Sequence, residues 1–253
     1  MLLKNIRHFL FGLILIFLSA ACSKSNSRTG LPAINSANDK NVGASAKDIL
    51  GSARFSSINI EVQFMDGFPP ETGALYYMTQ FLDSLVNKPG GINIVEEQIP
   101  AQSKSIYSLN DIALIEQQHR TKFDTLNQLA IYILVVDGEY TDKSVFGLAF
   151  RNTSICLMGK TIFDNSGSFS QVLLTTLETS VIDHELGHLM GLVNAGTPMI
   201  TGHEDPAHAH HCNNPNCLMY YQGETTSLLG YFSSAAFPLD SNCLADLKAN
   251  GGK

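Results

Sequence analysis

The sequence predicts an α+β domain, and three observations carry that prediction. Ile58 to Phe64 alternates apolar and polar residues, the period of a half-buried strand. Leu129 to Val136 is almost continuously apolar and β-branched, as a central strand covered on both faces should be. Ser168-Phe169-Ser170-Gln171 fits a helix-starting capping box, and Leu173, Leu177, Val181, His184 and His188 follow along one broad helical face to about Met190.

The chain opens with a targeting segment. Lys4, Arg7 and His8 precede the apolar run Phe9 to Leu18, which is short for a membrane span. Ser19-Ala20-Ala21-Cys22 resembles a bacterial lipoprotein cleavage site, with the usual leucine one place early at Leu18. Residues 1–21 are therefore expected to be a signal peptide. Cys22 would then be lipidated and would anchor the protein to the membrane at the periplasmic or outer face of the cell envelope. Ordinary cleavage after Ala21 is the alternative. Residues 22–53, rich in Ser, Asn, Ala, Gly and Lys, read as a flexible tether with one helical turn near Ala46 to Leu50.

Residues 54–253 suit one domain, divided at Gly191 into 54–191 and 192–253. After the first strand, Gly67, Pro69 and Pro70 break the chain. Leu75, Met78, Phe81, Leu82 and Leu85 then mark a helix over Glu71 to Val86. A strand over Ile92 to Ile99 and a helix over Leu109 to Arg120 come next. After the central strand, Val145 to Phe150 and Ser154 to Met158 read as two more strands. A final helix is expected near Asp240 to Ala249. A net charge of −7 offers no basic footprint for nucleic acid, and a monomer is expected.

The chemistry concentrates in His184-Glu185-Leu186-Gly187-His188, an H-E-x-x-H motif. Residues four apart stand on one face of a helix, so His184 and His188 offer two imidazoles to one point, as tetrahedral zinc requires. Glu185 lies beside them as general base towards water activated by the metal. Gly191 supplies a left-handed helix exit. The third ligand is open: the tract after the helix holds His203, Asp205, His208, His210 and His211.

H-E-x-x-H-x-x-G is similar to the start of the metzincin zinc-peptidase signature. His211-Cys212, followed by Cys217 and Met219, resembles the archaemetzincin H-C-x4-C-x-M. The displaced motif also resembles those of bacterial lipoproteins described as membrane metalloproteases. In the family the third ligand falls at the position of Asn194. Here Ala195 to His210 separates that position from the H-C pair, a 16-residue insert.

The resemblance implies His211 as third ligand, with His203 the alternative, and Met219 in a turn beneath the metal. It also implies Tyr221 near the metal as oxyanion stabiliser. The fold it implies is a twisted, mixed five-stranded sheet with a backing helix, a zinc helix and a small irregular C-terminal subdomain. Gly147, Leu148, Ala149 and Phe150 would form the sheet edge on which a peptide pairs antiparallel. Besides Cys22 the chain has Cys156, Cys212, Cys217 and Cys243. An even number in an exported protein suits two disulfides, for instance Cys212–Cys217 and Cys156–Cys243. The family's second, structural zinc is the alternative, although its downstream C-x-x-C is missing here.

The expected function is an exported zinc endopeptidase acting on peptide or protein. A catalytically silent peptide-binding module and a zinc amidase acting on cell-wall peptide are the rivals.

Overall fold

The computed structural model describes residues 30–166, 171–224 and 237–253. The signal segment, Cys22 and the first three residues of the expected capping box lie outside the described residues. In chain order the elements are α1 (Ala46–Leu50), β1 (Ser57–Met65), α2 (Thr72–Leu85), β2 (Ile92–Ile99), β3 (Ile106–Tyr107) and α3 (Leu109–His119). They continue with β4 (Gln128–Val136), β5 (Glu139–Tyr140), β6 (Gly147–Arg151), β7 (Ser154–Met158), α4 (Gly159–Ser166) and α5 (Gln171–Leu189). Last come β8 (Glu204–Asp205), β9 (His208–Cys212), a 3-10 turn over Tyr221–Glu224, and α6 (Ser241–Ala249).

Five strands form one mixed sheet in the order β2-β1-β4-β7-β6. The first four are parallel, and β6 runs antiparallel to β7 at the edge. The two faces of β4 bury different sets, as its unbroken apolar run requires. Leu129, Ile131, Ile133 and Val135 pack with α2, α5 and α6 in the larger core. Tyr132, Leu134 and Val136 pack with Ile112, Ala113 and Ile115 of α3 on the other side.

α2 buries Ala74, Leu75, Met78, Leu82 and Leu85. Its first turn is capped by another helix, because Glu71 N–H donates to Glu178 Oε2 at 2.8 Å. α3 begins with a capping box that joins Ser108 and Asp111, each bonding the other's backbone N–H. Asp240 Oδ1 caps α6 by accepting from Asn242 and Cys243 N–H.

Two expectations are corrected. Glu61 and Gln63, on the polar phase of β1, are buried rather than solvated. The loop after α3 covers that face, and Glu61 accepts from Thr121 N–H, Thr121 Oγ1 and Lys122 N–H at 2.7–3.1 Å.

The tether expected over 22–53 is, from about residue 31, part of the folded domain. Asn38 donates to Asp124 and Thr153, and Ile49 and Leu50 are fully buried. Asp39 pairs with Arg151, which also bonds Glu116 at 2.7 Å; all three are buried. Composition hid this, because the segment is held chiefly by specific polar contacts rather than by a periodic apolar face. Among the described residues no helix is long and apolar enough to cross a membrane.

Candidate metal centre

α5 is the platform of the site. From Leu177 to Leu189 every residue is buried, so this part of the helix runs through the core with no solvent face. Glu178 and Asp183, which lie off the apolar stripe, are buried too. Burial pushes Glu178 up to about 7 and Asp183 well above the usual carboxylate range.

His184 and His188 lie one turn apart, with their Nε2 atoms 3.1 Å apart. Two nitrogens about 2.0–2.1 Å from one tetrahedral zinc would stand roughly 3.3 Å apart, so the spacing suits that ion. His184 Nδ1 lies 2.7 Å from the carbonyl oxygen of Leu218. A carbonyl only accepts, so Nδ1 carries the proton and Nε2 presents its lone pair. Burial pushes His184 down to about 3 and His188 well below its usual value, which keeps both rings neutral ligands near pH 7.

The insert supplies the third imidazole. The helix leaves at Gly191 (φ +74°), where a side chain would collide with Thr197. Asn194, at the family's third-ligand position, is an exposed turn residue with φ +64°. The chain then forms the β8–β9 hairpin, whose Asp205 side chain accepts from Ala207 N–H in the tight turn. β9 returns His211 to the helix, with ring centroids 5.4 Å from His184 and 5.0 Å from His188. Nitrogens of the three rings lie within 4.8 Å of one another. Burial lowers the pKa of His211 as well.

Met219 is fully buried. A Cβ on Gly187 would overlap its sulfur, so the glycine between the two helical histidines is what lets the methionine fit. The Met219 carbonyl accepts from Cys212 N–H at 2.7 Å, which ties the turn to the strand bearing His211.

Glu185 is buried and lines a cleft of about 450 Å³ together with His188, His210 and His211. Leu148 and Ala149 of β6 form one wall, and Asn41, Val42, Ala195 and Ala209 the others. Of the four residues expected at the sheet edge, Gly147 packs under Val181 and Phe150 turns into the smaller core, so neither faces the cleft. Tyr221 is not among the lining residues. Its ring lies flat on His208, with centroids 3.6 Å apart.

A second cluster lies behind the hairpin. His203, the alternative third ligand, is found here and not with His184 and His188. The expected disulfides are likewise corrected, since the four described cysteines are free. Cys156 faces the smaller core across the sheet from Cys243, which excludes that pair. Cys217 and Cys243 sulfurs are 3.7 Å apart, too far for a disulfide. The distance is close to the roughly 3.8 Å of two sulfurs about 2.3 Å from one tetrahedral zinc.

His203 Nδ1 lies 3.4 Å from Cys212 Sγ and 3.9 Å from Cys243 Sγ. Its Nε2 contacts Asp246 Oδ2 at 2.8 Å. Cys217 Sγ accepts from Met219 N–H and Asp240 N–H, each at 3.4 Å. Hydrogen bonds from the Cys212 and Cys243 thiols pull the Cys217 pKa down. His203, Cys212, Cys243 and Asp240 offer ligand atoms within 4.8 Å of one another, with Cys217 beside Cys243, a donor set suited to a structural zinc.

Leu218 and Asp246 had not been singled out from the sequence. A signal existed for both: Leu218 adjoins the turn methionine, and Asp246 lies one helical turn from Cys243. No protein-family model matches the chain, and no curated protein matches it. Among solved structures, it is similar to archaemetzincin from Methanopyrus kandleri, with a TM-score of 0.52 and 14% identity over 77% of this chain and 96% of that one. It also aligns with metalloproteinase-II from Bacteroides fragilis, with a TM-score of 0.39 and 12% identity over 81% of this chain and 60% of that one. The five-stranded mixed sheet, packed against helices on both faces, is thus the fold of archaemetzincin.

Proposed function

We propose that this protein is a zinc endopeptidase, exported and held at the cell envelope through a lipidated Cys22. The observation that carries the reading is the convergence of His184, His188 and His211 within 4.8 Å, with Glu185 in the adjoining cleft. These three histidines would hold zinc. Bound there, zinc supplies a Lewis acid that polarises a peptide carbonyl and lowers the pKa of water.

Glu185 takes the proton from the attacking water and returns it to the leaving amine nitrogen. The Leu218 carbonyl holds the His184 ring in register. β6, the last strand of the sheet, offers backbone groups to an extended substrate, with Leu148 and Ala149 lining the cleft beside it. The second cluster would hold a structural zinc that fixes the hairpin carrying His211.

The test is digestion of casein and a peptide library by zinc-loaded protein, with and without chelator, alongside Glu185→Ala. Chelator-sensitive cleavage is expected, and Glu185→Ala should lose at least about 10²-fold while keeping its zinc. An active Glu185→Ala removes the assigned base. Zinc-loaded protein that binds but never cuts peptides is a silent binding module, and turnover of cell-wall fragments alone makes it an amidase.

A further inference from the structure

We propose that residues 38–45 close the end of the cleft that receives the amino-terminal side of a substrate, so that cleavage falls near the substrate's amino end. This rests on the peptidase reading above. The direction follows from the antiparallel pairing with β6 that the resemblance to metzincins implies. A peptide paired antiparallel to Gly147–Arg151 runs against it, so its amino-terminal residues point towards Arg151.

At that end residues 38–45 are fastened down. Lys40 N–H donates to Asn152 Oδ1 at 2.9 Å, and Asn152 N–H donates to the Lys40 carbonyl at 3.1 Å. The Asn152 amide also donates to the Ala37 carbonyl and to Ser45 Oγ at 2.9 and 2.8 Å, and Asp39 pairs with the buried Arg151.

The segment then crosses to the loop that follows α5. Gly43 (φ +75°) sits against Ala195 and Gly196 so closely that a Cβ would overlap the Ala195 carbonyl oxygen. Gly196 packs back on Gly43, where a Cβ would likewise overlap the Gly43 carbonyl oxygen. With β6 on one side and the loop on the other, this short stretch bridges the cleft.

Asn41 and Val42 stand on the bridge. They line the cleft beside Glu185 and His188, and with Ala195 they also line a second hollow of about 380 Å³ beyond it. They therefore form a ridge between the two spaces. A bridge tied down at both ends does not yield to an incoming chain as a free loop would. A substrate can extend freely away from the ridge, but only a short amino-terminal portion fits on its near side.

The experiment uses zinc-loaded full chain and one scissile sequence extended stepwise on either side, with cut positions read by mass spectrometry. Amino-terminal extension by several residues is expected to lower kcat/KM about tenfold or more, while carboxyl-terminal extension has little effect. In the Asn41→Gly/Val42→Gly double variant, the ratio of long-substrate to short-substrate kcat/KM should rise at least about fivefold. Equal turnover of amino-extended peptides, or a penalty on the carboxyl side, overturns the proposal and leaves the peptidase reading standing. Failure to cut any peptide overturns that reading and the proposal with it.

Discussion

His184 donates its Nδ1 proton to the carbonyl oxygen of Leu218 across 2.7 Å, one residue before the methionine that fills the space under Gly187. One short loop thereby sets both the tautomer of the His184 imidazole and the packing against Gly187. The same loop bonds back to Cys212, the neighbour of His211. The three imidazoles are thus held by a helix, a turn and a hairpin that brace one another, and the predictions below follow from that bracing.

His211→Ala and Asn194→Ala should separate cleanly. Losing His211 removes a converging imidazole and should weaken zinc by more than the roughly 10–100-fold that an outer hydrogen-bond partner is worth. Asn194 is exposed at φ +64°, so its replacement should leave zinc affinity unchanged and cost about 1 kcal/mol of stability. Competition titration with a zinc chelator, paired with thermal melts, reads both effects. Equal zinc loss in the two variants would contradict the assignment of the third imidazole.

Elemental analysis should find two zinc ions per chain, falling to one in Cys217→Ser and in His203→Ala. Asp246→Asn keeps the ligand but loses the carboxylate that orients His203, and should weaken the second site by about 10–100-fold. A single zinc in the wild-type protein, or a Cys217–Cys243 disulfide found by peptide mapping, would exclude this arrangement.

Arg151→Met should be among the most damaging changes outside the site. Arg151 is fully buried against Glu116 and Asp39, and its loss leaves Asp39 buried without its partner and Glu116 with Arg120 alone of its two arginines. A cost of about 3–5 kcal/mol is expected. Urea unfolding would read the loss, and limited proteolysis should find residues 30–45 newly cleavable. An unchanged midpoint would refute the view that this pair anchors the amino-terminal segment.

Glu178 gives a pH signature. Burial raises its pKa from the usual 4.5 to about 7, so the folded state holds the proton where the unfolded chain has already released it. Its contribution is complete below about pH 4.5 and is lost as pH rises through 7. Glu178→Gln keeps an oxygen for Glu71 N–H and carries no charge. Relative to wild type it should gain stability across that window, reaching roughly 3 kcal/mol at the alkaline end. Unfolding free energies of the two proteins at pH 5 and pH 8 provide the check, and parallel curves would refute it.

By itself the sequence determined the elements whose signals are local. The five sheet strands, α2, α3, α5 and α6 all lie where side-chain period placed them, and the four-residue spacing of His184 and His188 put both rings on one face. Tertiary structure alone decided the rest. The H-C-x4-C-x-M resemblance pointed to His211, but only the hairpin that folds back over the helix brings its ring to the other two and leaves His203 elsewhere. His203 and the cysteines gather in a second cluster because β9, the methionine turn and α6 meet there. Glu61 and Glu178 are buried, and residues 31–53 are fastened to the domain through Asn38, Asp39, Ile49 and Leu50, because other segments cover these side chains. Periodicity reports which side chains share a face. It does not report what comes to rest against that face, because that depends on contacts between residues far apart in the chain.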